Sequence, residues 1–413
     1  MTELRTVRVD NLGRVVTGKT PPSSLPKLFG EQHPFLTPTD IDGAARFIEP
    51  GRFLSSEGHD YQHRLMLPAR SVCVVCIGAT IGKVCMTDRP SFTNQQINSV
   101  VVNEDEHDPF FVYHLMTTLR DELKSNAGGA ATPIINKTAF SEIEVRVPPL
   151  PTQRRIAGIL SDYDELIENN QRRIRILEEM ARSLYREWFV HFRYPGHESV
   201  PLVDSPLGQI PQGWVVKRIL DFGKVITGKT PSKANPDFYG EDVPFVKTPD
   251  MHGNMFVLAT GECLSYAGAD SQANKLIPAG SICVSCIGTI GVVSIMTEDC
   301  QTNQQINSIV LAKEQFREFL FFRLQDAKRA LEHLGANGAT MGNVNKSKFE
   351  SLEVIAPPNE FLERYHQFSA SLLSEILTLS RQTANLRSTR DLLLPRLLSG
   401  QVVLNCNLKE KQE

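Results

Sequence analysis

The chain has 413 residues, of which 41% are hydrophobic and 22% charged, enough for two or three domains of ordinary globular composition. Its formal net charge of -3 shows no basic excess of the kind that announces a nucleic-acid partner, although the field that matters to such a partner is local. The longest apolar stretch, 71 to 82, is too short and too interrupted to cross a bilayer, and MTELRTVRVD has no signal-peptide core. A cytoplasmic protein with no membrane contact is expected, its eight cysteines reduced.

In chain order, a strand-like opening at 7 to 17 runs into Gly18-Lys19-Thr20-Pro21. Pro-Phe, a Thr-Pro turn near 38 to 40, and short β-like runs broken by Gly follow. A helix-like stretch at 109 to 123 precedes a last strand at 144 to 149 that ends in Pro-Pro. The same order then recurs: a strand-like opening at 215 to 227, Gly228-Lys229-Thr230-Pro231, a turn at 248 to 250, a helix at 315 to 334 and a last strand at 353 to 358. Thr93-Asn94-Gln95-Gln96-Ile97-Asn98-Ser99 returns unchanged at 302 to 308, and SVCVVCIGATIG at 71 to 82 returns as SICVSCIGTIG at 281 to 291. Each copy is long enough to close its own core, so this is a duplicated domain and not a solenoid unit.

A different pattern follows each copy. Ile156, Leu160, Tyr163, Ile167, Asn170, Ile174, Leu177, Ala181, Leu184 and Trp188 fall at alternating gaps of four and three. Tyr365, Ser369, Leu372, Ile376, Leu379, Thr383, Leu386, Arg390, Leu393 and Leu397 repeat that spacing 209 residues later. These heptad stripes predict two long helices, each unable to bury its stripe alone. Equal, narrow stripes suit pairing with each other, and the duplication implies antiparallel pairing about a pseudo-twofold. About 37 residues at 1.5 Å each give a rod of roughly 55 Å. Seven Arg balance seven Asp or Glu between Thr152 and Glu187, a surface suited to packing against protein.

Several motifs invite other readings. Gly13 to Thr20 and Gly223 to Thr230 match the phosphate-loop pattern GxxxxGK[ST], and an ATP-dependent enzyme using both is the rival reading. That loop requires a helix beginning at Gly-Lys-Thr, whereas Pro21, Pro22 and Pro231 follow here. Lys19 and Lys229 still suit backbone-phosphate contacts. A protein-only scaffold is the third reading, favoured by the near-neutral charge. Cys73 and Cys76, like Cys283 and Cys286, are spaced to point to opposite faces of a strand and read as buried thiols, not zinc ligands. His59 and His63 read as surface residues, and Asn235-Pro236-Asp237-Phe238 as a turn. The repeated amides read as scaffold in preference to base contacts, since domains reading different targets should differ where they read. The copies diverge at 23 to 33 against 233 to 243, 57 to 67 against 267 to 277, and 125 to 135 against 335 to 344.

The whole chain resembles the specificity subunit of type I restriction-modification systems. The resemblance rests on the duplicated domain beginning near Gly-Lys-Thr-Pro, on PPLPTQRRIA at 148 to 157, on LYREWFVHFR at 184 to 193 and on LLPRLLSG at 393 to 400. It implies that each globular domain recognises half of a split, asymmetric site in double-stranded DNA. It also implies that the helices space the domains and dock two DNA adenine methyltransferase subunits, with restriction translocase-endonuclease subunits joining for cleavage. The chain itself would be non-catalytic and hold no metal or cofactor, S-adenosylmethionine, Mg²⁺ and ATP being used by the partners.

The expected fold is α+β: mainly-β or mixed recognition domains at 1–150 and 213–358, spacer helices at 151–192 and 359–400, a linker at 193–212 and a tail at 401–413. Pro395 is expected to kink or end the second helix. Candidate DNA contacts are Lys19, Thr20, Arg64, Asn94, Gln95 and Lys137 in the first copy, and Lys229, Thr230, Lys275, Asn303, Gln304 and Lys346 in the second. The expected helix seam comprises Ile156, Leu160, Tyr163, Ile167, Ile174, Leu177 and Leu184 with Leu372, Ile376, Leu379, Leu386 and Leu393.

Overall fold

The computed structural model describes residues 4–41, 43, 45–126, 133–336 and 342–401. The tail at 402–413 and the middles of the third divergent segments, 127–132 and 337–341, lie outside the described residues. Two compact units divide the chain: 1–171 with 382–413, and 172–381. Each contains one repeated domain and a piece of both long helices.

In the first unit, strands Gly13–Thr17, Ile97–Val102, Val72–Val75 and Val84–Met86 form an antiparallel sheet in that order. The Val72–Val75 strand is buried along its whole length because both of its faces are covered. Val72 and Val74 point to the core beneath helix Pro109–Thr118, while Cys73 and Val75 point to a smaller core with Ile41, Leu67 and Ile97. Cys76 belongs to the first core and Cys73 to the second, so their side chains do diverge. A second sheet, in the order Phe29–Gly30, Phe53–Leu54, His33–Leu36 and Phe92–Thr93, lies at the divergent end. Arg5–Arg8 pairs with Glu144–Val147 and ties the start of the domain to its end.

The second unit repeats this plan. Gly223–Thr227, Ile306–Leu311, Ile282–Ser285 and Val293–Met296 are joined by Phe256–Val257 to make five strands, and Val215–Arg218 pairs with Glu353–Ala356.

Several expected elements differ in detail. Each strand-like opening is two strands in different sheets, broken by the 3-10 turns Val9–Asn11 and Ile219–Asp221; Val9 and Ile219 turn fully inward there. The first expected helix is two, Pro109–Thr118 and Arg120–Asn126, broken at Leu119 where Thr117 and Thr118 donate back to the His114 and Leu115 carbonyls. The second is likewise Arg317–Asp326 and Lys328–Gly335. The 193–212 linker is structured: Leu202–Ser205 and Gly208–Pro211 form a hairpin, and Tyr194 and Ile210 join Trp214 in the core of the second unit.

The long helices span Leu150–Tyr185, with a π turn at Arg186–Val190, and Asn359–Leu398. Their segments run antiparallel within each unit. In the first, Ile156 and Leu160 share a core with Leu394 and Leu397, and Asp164 meets Arg390. In the second, Arg173 bonds Glu375 at 2.7 Å and Trp188 packs 5.7 Å from Tyr365. Of the expected seam, Ile156, Leu160, Ile167, Ile376 and Leu379 are buried, while Tyr163, Ile174, Leu177, Leu184, Leu372, Leu386 and Leu393 are half-buried. The stripe is therefore not a helix-to-helix seam alone, because Ile156 and Leu160, like Leu184 and Leu372, pack into or against the domain cores.

Pro395 does not end the second helix, which runs on to Leu398. Pro395 and Asp391, whose carbonyl loses its partner, are exposed to water, while Leu394 and Leu397 anchor the opposite side.

Candidate nucleic-acid interface

The two repeated motifs form one knot. Gly18 N donates to Ile97 O (3.2 Å), Lys19 N to Thr93 O (2.9 Å), Thr17 Oγ1 to Asn98 Oδ1 (2.6 Å) and Thr20 Oγ1 to Gln95 Oε1 (2.6 Å). In the second copy Gly228 N donates to Ile306 O (3.1 Å), Lys229 N to Thr302 O (2.9 Å), Thr227 to Asn307 (2.6 Å) and Thr230 to Gln304 (2.6 Å). A Cβ at Gly18 would fall against the carbonyl oxygens of Thr93 and Asn94, and one at Gly228 against those of Thr302 and Asn303, so glycine is required by close backbone approach.

This knot sorts the candidates. Asn94 and Asn303 are buried and close their own turns, Oδ1 accepting from the backbone N–H of Gln96 or Gln305 and Nδ2 donating to its side chain. They belong to the scaffold and offer nothing to a ligand. Lys19, Gln95, Lys229 and Gln304 are exposed around it. The phosphate-loop geometry is absent: Gly13–Thr17 and Gly223–Thr227 are strands, and the residues after each Lys-Thr begin no helix at the glycine.

Two divergent segments in each copy are brought together beside the knot. Helix Ser56–Gln62 packs on the turn Pro26–Leu28, Gly58 lying against the Leu28 carbonyl, and helix Tyr266–Asp270 packs on Pro236–Phe238 through Gly268. Ser55 and Ser265 cap these helices through the Gly58 and Gly268 amides. Arg64 is exposed in the 3-10 turn His63–Leu65, and Lys275 half-exposed in Ala273–Lys275. The Lys19 ammonium lies 5.4 Å from the Tyr61 ring centre, and Gln272 Nε2 donates to Lys229 O at 2.9 Å. His63 is exposed, but His59 is half-buried, stacked 4.8 Å from His33 and edge-on to Phe92, which corrects its reading as a surface residue.

The sequence reading missed Tyr61 and Tyr266, 47% and 68% exposed. Their signal was an unpaired aromatic on a short divergent helix, the kind of ring on which bases or sugars pack. Lys137 and Lys346 are the first residues of Lys137–Ser141 and Lys346–Glu350, capped by Asn136 and Asn345. Their segments are tied to the knot by Ile135 N to Cys76 O and Cys76 N to Gln96 O in the first copy and by Asn307 Nδ2 to Val344 O in the second, and Lys346 is paired 3.5 Å from Glu350. Burial pushes the Cys76 and Cys286 thiols up to about 11, and among the described residues no cluster of three His, Cys, Asp or Glu is arranged to hold a metal.

The family model for the type I restriction modification DNA specificity domain matches residues 1–179 and 211–376. The chain belongs to this family. It is a specificity subunit, a recognition chain and not a catalytic one. It is 33% identical over 355 residues to the type I restriction enzyme HindI specificity subunit of Haemophilus influenzae, covering 71% of this chain and 77% of that one. It is 25% identical over 403 residues to the MjaIX specificity subunit of Methanocaldococcus jannaschii, covering 96% and 92%. Its fold is shared with the S subunit of a type I system from M. genitalium, at TM-score 0.62 and 12% identity over 96% of both chains. Both family-model segments contain the knot, so the specificity subunit carries it twice. No helix among its described residues is long and apolar enough to cross a membrane.

Proposed function

We propose that each domain of this specificity subunit reads one half of a bipartite, asymmetric site in double-stranded DNA. In this reading, the first and second long helices space the domains and dock two DNA adenine methyltransferase subunits. Restriction translocase-endonuclease subunits join that complex in the cytoplasm; S-adenosylmethionine, Mg²⁺ and ATP serve those partners. The observation that carries the reading is the pairing, in both copies, of one identical knot with two juxtaposed segments that differ. Identical parts suit the sugar-phosphate backbone, which is the same at every site, and differing parts suit the bases.

Lys19, Thr20, Gln95 and Lys137, with Lys229, Thr230, Gln304 and Lys346, take the positioning role. Arg64 and Tyr61, with Lys275 and Tyr266, take the reading role. The test is to replace Tyr61 and Arg64 by Ala in the assembled methyltransferase and map the methylated sites. Relaxed preference confined to one half-site is the expected result; unchanged preference, or loss in both halves, overturns the assignment.

A further inference from the structure

Where the long helices meet the first domain, five polar side chains form a cluster, three of them buried and two, Glu168 and Arg390, half-buried. Arg390 NH1 donates to Asp164 Oδ1 at 2.6 Å, Asp164 Oδ2 lies 3.3 Å from His114 Nε2, and Arg46 grips Glu168 at 3.2 and 3.3 Å. The side chains of Arg46, His114 and Asp164 are at most 4% exposed. Asp164 and Glu168 come from the first long helix, Arg390 from the second, and the other two from the domain.

The duplication supplies a control within the chain. Glu144–Val147 and Glu353–Ala356 fix an offset of 209 for the helices, so Asp164 corresponds to Leu373, Glu168 to Leu377 and Arg390 to Ala181. Met86 N donates to Arg46 O as Ile295 N donates to Met255 O, which equates Arg46 with Met255. The helix breaks at Leu119 and Ala327 equate His114 with Phe322. All five polar residues thus have apolar counterparts in the second unit, where Ala181, Phe322 and Leu373 share one core.

We propose that this cluster is a pairing key, which makes the helix of the N-terminal half accept the helix of the C-terminal half and reject a second copy of itself. Each half carries one long helix, and like halves could in principle pair through equivalent stripes. Pairing two N-terminal halves would set Asp164 against Ala181, stranding a carboxylate buried beside His114. Pairing two C-terminal halves would set Arg390 against Leu373 and Phe322. Only unlike halves match charge with charge and apolar with apolar, and a buried charge without its partner is heavily penalised. The key is independent of which DNA is read.

The experiment uses the full chain, purified intact and then nicked at a protease site placed between Pro206 and Leu207 in the exposed turn of the 202–211 hairpin. The halves are exchanged in mild denaturant, returned to native buffer and counted by native mass spectrometry. The wild type is expected to return unlike pairs only, with like pairs below about 1%, the roughly hundredfold bias implied by loss of a buried partner. The triple variant His114→Phe, Asp164→Leu, Arg390→Ala copies three of the five counterparts found in the second unit and is expected to approach a statistical mixture of like and unlike pairs. Arg390→Ala alone, which removes the advantage of the unlike pair without altering either core, is expected to do the same. A statistical mixture from the wild type, or unlike pairs only from both variants, overturns the proposal.

Discussion

The two units agree in the knot and disagree beneath it. Corresponding hydrogen bonds in the two knots match to within 0.1 Å, yet the residue beneath each is placed differently. Gln272 is buried and donates to both Lys229 O and Gln301 Oε1, whereas Gln62 is equally buried with neither side-chain polar atom partnered, Phe92 standing where the second copy has Gln301. The supports also differ: the first domain rests on the helices through an apolar core with Ile156, Leu160, Leu394 and Leu397 and the Arg390–Asp164 ion pair, and the second through the aromatic side chains of Tyr185, Trp188, Phe189, Phe319 and Tyr365 and the His366–Glu318 contact. Duplication therefore separates constraint from choice. What the backbone geometry demands is repeated, and what varies lies either in exposed segments such as Ser56–Gln62 and Tyr266–Asp270 or in the buried contacts beneath them.

The strongest test of the shared part is Gly18→Val against Gly228→Val. Each side chain would collide with backbone carbonyls that cannot retreat, so each variant should lose about 3 kcal/mol or more in its own domain. Unequal losses in thermal unfolding, with one domain tolerant, would break the equivalence of the knots.

The supports should part company in acid. Burial, with Arg390 and Arg46 adding to it, pushes His114 down to about 3. Because the unfolded chain takes up this proton near 6.5 and the folded chain does not, stability is lost as pH falls from about 6.5 towards about 3. Asp164 opposes this in part, since burial raises its carboxyl and the folded state takes that proton early. A net loss of up to about 2 kcal/mol between pH 7 and 5 is expected in the first unit. Amide exchange resolves the two units; His114→Phe should narrow the difference between them, His107, which burial also pushes down, keeping part of it.

A smaller effect separates the two glutamines. Gln62→Leu removes an unpaired buried amide and should be neutral or stabilising, whereas Gln272→Leu breaks two hydrogen bonds and should cost about 1–2 kcal/mol. Equal effects in urea titrations would show that the amides have the same surroundings. Smallest is the lysine effect: Lys19→Ala and Lys229→Ala should each weaken binding on every DNA sequence and lower the salt slope by about one. A changed base preference with an unchanged slope would move these lysines from positioning to reading.

Much of this was legible in the sequence because repetition does not depend on knowing any contact. The duplication, the long helices and the divergence of Cys73 and Cys76 follow from repetition and spacing alone. Local breaks were not legible: the 3-10 turn at Val9–Asn11 interrupts a strand-like run without Gly or Pro, and the burial of Val9 against the domain, with the Asn11 side chain accepting from Arg8 N, explains it. Pro395 misled because propensity is local and anchoring by Leu394 and Leu397 is tertiary. The His114, Asp164 and Arg390 cluster was hidden because its members lie far apart in the chain, and Arg390 occupied a stripe position where only the missing apolar residue hinted at a partner. At the candidate interface, Asn94 was chosen for its chemistry, but its burial could not be read from its type.

The central claim is that recognition is divided between two separable domains. The most direct measurement replaces residues 1–148 with the corresponding domain of another specificity subunit, expresses the chimera with its methyltransferase and maps methylated sites across the host genome. One half of the site should change to that of the donor while the other half stays as it was. A simultaneous change in both halves, or an unchanged site, would contradict the division.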